Sequence, residues 1–396
     1  MPRRGEWRRI HPYVCFLVLI TLMLSPVGAD RLSQDQIERL RSEAIASRSD
    51  AFLVWQDGVL LVDYSKPDSP EFIESMSVTK SIVALAIGKL LTEGKLSSVD
   101  QPVSDFYPEW KQGLKRKITI RHLLSHTSGL QNVSHTREEI YPAPDFVQLA
   151  LAADLTSEPG EEFSYNNKAV NLLSGLAEKC SGQRLDEYVA DHLFNELGIK
   201  RCEWLRDDSG NPHAMSGIQI APKDLLKIGQ LVLNRGSWDG RRVLSSEWLD
   251  EALSAQGSPL CGFLWWRIPK KSRFVIDSQS VQKFAQQSGL PETSEAATAL
   301  IGVYSQQEQL RSAVRKAFPE KLEDPEFVQA LDRYLIKTEV EEVLGYSANG
   351  YLGQFLIVVP ERKLIVVRMI SASVDYDPET DSFSHLQETL RSILAP

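Results

Sequence analysis

The pattern of hydrophobic and polar positions divides the chain into strand-like ends and a helical middle. Two apolar runs near the start flank Asp57-Gly58, and two near the end flank residues 360–363. Glycine takes the positive φ of a tight turn, so the first pair predicts a β-hairpin, and the second pair has the same design. The predicted strands are residues 51–55, 59–64, 262–268, 353–359 and 364–370. The predicted helices are residues 33–48, 81–91, 146–151, 169–179, 185–193, 225–233 and 383–394.

This order of elements predicts an α+β fold. An antiparallel sheet flanked by helices is built from both chain ends, and a mostly helical domain is inserted between its halves. We expect residues 30–80 and 256–396 to form the α/β domain and residues 81–255 to form the helical domain. A site is expected where the two parts meet.

A long segment separates two strands that we expect to be neighbours. Residues 267–344 far exceed the length that a hairpin loop needs. Within them, residues 298–318 and 326–343 are charged and are predicted to be helical, so residues 270–343 are treated as an insertion. The insertion is either a lid over the site or a surface elaboration, and the sequence favours neither.

The first 29 residues have the pattern of a secretory signal. Arg3, Arg4, Arg8 and Arg9 precede an apolar run over residues 13–24, and small residues lead to Asp30. The run is short for a membrane span, although an uncleaved membrane anchor is the alternative. We therefore expect a secreted or periplasmic protein with no other contact with a membrane.

Charge and cysteine content narrow the classes of partner. The formal net charge is -9, and loss of residues 1–29 would make the chain more acidic. This balance argues against nucleic acid as a partner. Cys180, Cys202 and Cys261 would remain, which is too few for a disulfide framework, although one bridge between Cys180 and Cys202 is compatible with an oxidising compartment.

The most informative motif is Ser77-Val78-Thr79-Lys80, at the start of the apolar helix predicted over residues 81–91. Ser-x-x-Lys places a hydroxyl and an amine on successive turns of one helix face, where a neutral amine can take the serine proton. Chance supplies roughly one or two such matches in a chain of this length. Ser280 and Lys283 form a second match in a polar, Gln-rich stretch, which we interpret as chance.

Two further segments contain candidate site residues. Tyr165 and Asn167 precede a predicted helix, and a tyrosine beside a lysine can act as a base if the cation lowers its pKa. Asn167 is a candidate for binding both Lys80 and a substrate carbonyl, and a helix-capping asparagine is the alternative. Near the last hairpin, Gly350 and Tyr351 enter a strand, where a backbone N–H would serve an oxyanion hole with the N–H of Ser77.

His122 and His126 stand four residues apart, as zinc-binding histidines do. The glutamate that follows the first histidine in zinc proteases is Leu123 here, so we interpret both histidines as structural and expect no metal.

With these residues assembled, the chain resembles the serine β-lactamase and penicillin-binding-protein superfamily. It is most similar to the branch of class C β-lactamases, esterases, D-amino-acid peptidases and 6-aminohexanoate-dimer hydrolases. The matching stretches are residues 75–81, 118–130, 159–167, 239–242, 262–266 and 348–354. The resemblance implies a β-lactamase/transpeptidase-like fold without a cofactor.

The resemblance also implies a role for each candidate. Ser77 would be the acylated nucleophile, Lys80 its base and Tyr165 a second acid/base. Asn167 would orient Lys80 and the substrate, and the N–H groups of Ser77 and Tyr351 would hold the oxyanion.

One departure from the family pattern bears on the substrate. Ala348 occupies the position where true β-lactamases have lysine, and a cation there would help to bind a carboxylate. We therefore expect a serine hydrolase acting on carboxylic esters or small linear amides. The alternatives are a D,D-peptidase, a D-aminopeptidase or a weak β-lactamase, and, in another class, a catalytically silent ligand-sensing protein. The sequence leaves the oligomeric state open.

Overall fold

The computed structural model describes residues 31–132, 136–288 and 295–395, and its centre is a seven-stranded antiparallel sheet. The sheet order is β2-β1-β12-β11-β10-β8-β9. Its strands are β1 Ala51–Gln56, β2 Val59–Ser65, β8 Trp266–Ile276, β9 Gly302–Tyr304, β10 Lys337–Gly350, β11 Gln354–Val359 and β12 Leu364–Met369. The strands outside it are β3 Ile73–Glu74, β4 Glu203–Trp204, β5 Ile218–Ile220, β6 Ser237–Trp238 and β7 Arg241–Arg242.

Most of the helices follow β2 and precede β8. The helices before β8 are α1 Gln34–Ala46, α2 Val78–Thr92, α3 Ile120–Leu124, α4 Thr136–Glu139, α5 Phe146–Ala152, α6 Asn167–Val170, α7 Leu172–Ser181, α8 Leu185–Val189, α9 Pro222–Leu233 and α10 Ser246–Leu253. Those after it are α11 Ser278–Ser288, α12 Glu295–Thr298, α13 Gln307–Ala317, α14 Pro325–Ala330, α15 Pro378–Asp381 and α16 Leu386–Leu394.

The sheet joins the two ends of the chain, as the sequence predicts. β1 pairs antiparallel with β12, from Ala51 opposite Met369 to Gln56 opposite Leu364. Both predicted hairpins are present. Asp57 and Gly58 have φ values of 44° and 86°, which is the left-handed geometry that a two-residue hairpin turn requires. The α+β prediction is therefore confirmed.

The two faces of the sheet bury separate cores because side chains alternate along each strand. Leu53 and Val367 face the core that contains α2 and α9. Phe52 and Val366 face the opposite core, which α1 and α16 cover. The catalytic candidates on α2 therefore lie on the same side of the sheet as the helical region.

Helix α2 is buried on all sides, as its continuous apolar sequence predicts. Every residue from Val78 to Leu90 is buried. Gly88 allows close packing, because a Cβ there would lie 2.0 Å from Nε1 of Trp248. The helix ends before Gly94, which has a φ of 68°. The close packing around α2 therefore holds its N-terminal turn, with Ser77 and Lys80, in one position.

The insertion differs from its prediction in two places. Gly302–Tyr304 is a strand within the stretch predicted to be helical over 298–318, and Lys337–Gly350 is a long strand where the helix prediction reached residue 343. β8 and β10 pair as neighbours, and their pairing extends far beyond the residues of β10 that pair with β11. The predicted strand over 262–268 begins only at Trp266. The helices of the insertion enclose their own core around Phe284, Phe318 and Phe327.

No disulfide links Cys180 and Cys202, so the bridge considered from the sequence is not formed. Both are free thiols, as is the buried Cys261. Over the described ranges, no helix is long and apolar enough to span a bilayer. The predicted signal over residues 1–29 lies outside the described residues.

Candidate active site

Ser77 lies immediately before α2, at a point where the backbone is held from both sides. Met76 precedes it with a φ of 50°, an uncommon conformation for a side chain of this size. Ser75 donates its N–H to the carbonyl of Ile218 and shares a hydrogen bond of 3.1 Å with the Thr79 hydroxyl. Although Ser77 occupies the N-cap position, its hydroxyl caps no backbone N–H and remains available for chemistry.

Lys80 presents its amine to Ser77 from one turn further along α2. Its Nζ lies 2.9 Å from Ser77 Oγ and 2.7 Å from the carbonyl oxygen of Met215. The side chain is buried, and burial lowers the pKa of the Lys80 amine well below its ordinary value of 10.5. No carboxylate is paired with it in the residues that the structure describes. A neutral amine with a free lone pair is what a base for Ser77 requires.

Tyr165 covers the same pair from the loop before α6. The Lys80 nitrogen lies 5.0 Å from the centre of the Tyr165 ring. Burial raises the pKa of Tyr165 to about 12, while a hydrogen bond with Ser77 works in the opposite direction. The phenol is therefore protonated at neutral pH, and this geometry suits it to donating a proton. The cation-lowered pKa considered from the sequence is not what the structure shows.

Aromatic rings enclose the site. The His126 ring lies 4.5 Å from the Tyr165 ring, and the Trp266 ring stacks on Tyr165 at 6.0 Å. His126 accepts the N–H of Asn166 at Nδ1, and burial, assisted by the charge of Lys80, lowers the pKa of His126 to about 3. His126 is therefore neutral at ordinary pH.

The catalytic cavity is small. Its lining includes Ser77, Lys80, His126, Tyr165 and Trp266. Its free volume is about 10 Å³, which is roughly the space of a single water molecule. The cavity therefore holds the reacting atoms, and the remainder of any substrate lies outside it.

The asparagines near Tyr165 have distinct contacts. Asn166 caps α6 by accepting the N–H of Ala169, so it is Asn166 that has the capping role considered for Asn167. Asn167 Oδ1 is buried and has no hydrogen-bond partner among the described residues. Asn171 accepts the N–H of Met215, whose carbonyl binds Lys80. Lys80 bonds to Ser77 and to the Met215 carbonyl, and among the described residues no hydrogen bond joins it to Asn167, which was expected to orient it.

Gly350 brings the end of β10 against the loop that carries Ser77. A Cβ at Gly350 would lie 2.6 Å from the Ser75 carbonyl oxygen and 3.1 Å from Met76 Cβ. Only glycine permits this approach, so the end of β10 packs against the residues that precede Ser77. The Tyr351 side chain is 65% exposed and does not line the cavity around Ser77 and Lys80, whereas Asn349 does.

Arg368 holds the turn after Tyr351 through hydrogen bonds to its backbone. Leu352 and Gly353 both have positive φ values, 66° and 85°. The fully buried Arg368 donates to the carbonyl oxygens of these two residues at 2.8 and 2.9 Å. It also donates to Ser49 Oγ and to the carbonyls of Ser47 and Asp381. Arg368 therefore joins the candidate oxyanion turn to two other segments, residues 47–49 and the one that contains Asp381.

Other sequence candidates lie elsewhere. Ala348 is fully buried in β10 and offers no cation. Ser280 bonds to Asp277, whereas Lys283 pairs with Glu162, so the second Ser-x-x-Lys forms no dyad. Trp265 is fully buried in the core.

No group of three or more potential metal ligands occurs in the stretches that the structure describes. His122 accepts the N–H of Thr119 and caps α3. It therefore has a structural contact.

Sequence reasoning missed three contributors to this site. The Met215 carbonyl and Arg368 act through contacts that no local pattern encodes. His126 was assigned a structural role, although its place in a stretch resembling the family was a signal that it lies near Tyr165.

The chain matches the family model described as Beta-lactamase over residues 35–388. It is 26% identical over 230 residues to the 6-aminohexanoate-dimer hydrolase of Paenarthrobacter ureafaciens, covering 52% of this chain and 57% of that protein. It is 29% identical over 154 residues to Protein flp of Staphylococcus aureus strain MW2, covering 37% of this chain and 31% of that protein. The chain thus spans less than two thirds of either relative.

Solved structures share the fold. A putative 6-aminohexanoate-dimer hydrolase from Bacillus anthracis has a TM-score of 0.61 at 16% identity, over 89% of this chain and 80% of that one. EstCE1, described as a hydrolase with promiscuous acyltransferase activity, has a TM-score of 0.58 at 16% identity, over 91% and 98%. With a family model that matches nearly its whole length, this chain belongs to the beta-lactamase family.

Proposed function

We propose that the protein is a serine hydrolase that cleaves carboxylic esters or small linear amides through an acyl-enzyme. The observation that carries the proposal is the 2.9 Å contact between Ser77 Oγ and the Lys80 amine, whose pKa burial lowers. A serine next to a neutral buried amine needs no histidine for activation.

The residues support a two-stage reaction. Lys80 takes the proton of Ser77 while Oγ forms a bond to the substrate carbonyl carbon, and the N–H groups of Ser77 and Tyr351 hold the oxyanion. Tyr165 then donates a proton to the leaving oxygen or nitrogen as the scissile bond breaks. The proton on Lys80 returns to Tyr165. In the second stage a water molecule attacks the acyl carbon and loses a proton to Lys80. The bond between the acyl carbon and Ser77 Oγ then breaks, and Lys80 returns the proton to Oγ.

The substrate class follows from what surrounds this dyad. Ala348 and its neighbourhood in β10 provide no cation for the carboxylate of a β-lactam. The relative named 6-aminohexanoate-dimer hydrolase and the structural neighbour described as a hydrolase with acyltransferase activity fit acyl transfer from linear substrates. These points favour esters and linear amides over β-lactams.

The test is hydrolysis of p-nitrophenyl esters by the wild type and by Ser77→Ala. We expect Ser77→Ala to lose hydrolysis and labelling by a fluorophosphonate probe while keeping the wild-type unfolding midpoint. Ser280→Ala is the matched control, because it removes the serine of the second Ser-x-x-Lys and should retain full activity. Undiminished hydrolysis by Ser77→Ala would refute the proposal.

A panel of esters, linear amides and a fluorescent penicillin separates the remaining classes. Labelling of Ser77 by the penicillin with slow ester turnover would favour a cell-wall peptidase or weak β-lactamase. Tight binding without turnover of any member of the panel would favour a silent ligand-sensing protein.

A further inference from the structure

A groove of about 980 Å³ separates the insertion from two loops of the main body. We call it the insertion groove. One wall consists of residues 161–163 and 257–260, and the other consists of α13 and residues 331–338. The catalytic cavity holds little more than a water molecule, so the insertion groove offers nearly a hundredfold more space.

The insertion groove and the catalytic cavity share a wall that is one aromatic ring thick. Phe163 lines the groove. Its ring centre lies 5.9 Å from that of His126 and 6.3 Å from that of Trp266, and both of these residues line the catalytic cavity. Along the chain, Leu260 lines the groove and the next residue, Cys261, lines the cavity. Phe163 therefore stands between the catalytic cavity and the insertion groove, and a substrate chain that extends from Ser77 past this ring would enter the groove.

The far wall of the insertion groove is amphipathic. Leu310 and Val314 of α13 supply a buried apolar surface, and Arg311 and Arg315 stand beside them with one helical turn between the two guanidiniums. Neither arginine forms an ion pair or hydrogen bond with any residue that the structure describes. Arg311 acts electrostatically on Asp332, and both guanidiniums are exposed, so they are open to an anionic ligand.

Other charged residues also line the insertion groove. Glu162 is engaged by Lys283 and Arg333, each at 3.7 Å, and Lys337 pairs with Asp277. Burial raises the pKa of Asp332, while the charge of Arg311 works in the opposite direction. Glu161 is an exposed anion on the opposite wall. On α13, the charged residues that line the groove are Arg311 and Arg315.

From this arrangement we propose that the preferred substrates carry an apolar acyl chain that ends in an anionic group, either carboxylate or phosphate. The ester or amide carbonyl lies at Ser77, the chain passes Phe163 and packs on Leu310 and Val314, and the anion binds Arg311 and Arg315. This inference rests on the proposed function, because it names the substrate class of the same site.

The experiment compares two series of p-nitrophenyl esters. One series contains monoesters of suberic, sebacic and dodecanedioic acids, and the other contains neutral esters of octanoic, decanoic and dodecanoic acids. A third probe, the ester of an ω-phosphono fatty acid, distinguishes a phosphate preference from a carboxylate preference. We expect the wild type to favour an anionic series in kcat/KM, mainly through KM.

Arg311→Gln/Arg315→Gln should lower kcat/KM for the anionic series by about tenfold, the combined scale of two exposed charged contacts, and leave the neutral series unchanged. Lys316→Gln is the matched control, since it removes an exposed cation of the same helix that does not line the groove. Equal preference for both series, or equal effects of the double variant and Lys316→Gln, would overturn the inference.

A binding measurement separates this inference from the proposed function. Calorimetry with the monoethyl amide of sebacic acid on the Ser77→Ala variant needs no turnover. If the ligand binds to Ser77→Ala but no longer binds when Arg311→Gln/Arg315→Gln is added, anion binding in the insertion groove is supported even if no ester is cleaved. Absence of binding at substrate concentrations refutes the groove, while ester hydrolysis that depends on Ser77 would leave the proposed function in place.

Discussion

Replacement of Arg368 by methionine should destabilise the whole protein and not only the turn after Tyr351. Methionine fills much of the same volume but donates no hydrogen bond. The change removes donors from the carbonyls of Leu352, Gly353, Ser47 and Asp381 in the interior. A buried acceptor left without a donor costs about 1–3 kcal/mol, so four of them cost about 8 kcal/mol at the middle of that range.

Part of this cost is offset because the guanidinium itself is expensive to bury. Burial lowers the pKa of Arg368 to about 10, from an ordinary value of 12.5. That difference corresponds to roughly 3 kcal/mol against the charged form, which methionine would recover. The expected loss for Arg368→Met is therefore about 5 kcal/mol in the free energy of unfolding, at the severe end for one substitution.

Urea unfolding followed by tryptophan fluorescence measures this loss. Arg368→Lys keeps a charge and up to three donors, so it should fall between the wild type and Arg368→Met. Arg41→Met, at an exposed position of α1, is the control and should change stability by less than about 0.5 kcal/mol. If Arg368→Met and Arg41→Met were equally stable, the reasoning about buried acceptors would be wrong.

Three further outcomes are expected. Because Lys80 is proposed to act as a neutral base and burial lowers its pKa, kcat/KM should rise with pH and level off below pH 10.5, the ordinary pKa of lysine. A rise that levels off only at pH 10.5 would contradict the burial argument. Lys80→Met should lower kcat/KM by about 10²–10⁴-fold. Gly88→Ala should cost about 1–3 kcal/mol in thermal unfolding through its clash with Trp248, while equal stability would show that the ring moves freely. Burial raises the pKa of the Cys261 thiol to about 12, so iodoacetamide should modify it only after unfolding, as mass spectrometry would reveal.

Local patterns were sufficient for the parts of the site that lie on one helix. The separation of Ser77 and Lys80 predicted a shared face, and the 2.9 Å contact between their side chains has that geometry. The same kind of reasoning predicted both hairpins, because a turn and its flanking strands are adjacent in sequence.

Contacts between distant segments could not be predicted from local sequence patterns. The carbonyl of Met215 meets Lys80 across 135 positions of sequence, and any residue type could supply that backbone oxygen. The pKa of Tyr165 depends on burial by rings from other segments, which no local motif encodes.

In the insertion, the local pattern did not distinguish a helix from a strand. Residues 337–343 alternate charged and apolar side chains in a way that fits a helix or a strand. The pairing of β10 with β8 decides between them, and that pairing partner lies some sixty residues earlier in the chain. Tertiary context overrides such weak local preferences.

The pairing of β1 with β12 has a consequence for how the molecule is made. Ala51 is among the first described residues to leave the ribosome, yet its partner Met369 is among the last. The sheet therefore cannot close until residues 364–369 have been made, and its many contacts between distant residues predict slow folding. The candidate nucleophile Ser77 is thus synthesised long before the strands that brace the candidate oxyanion turn.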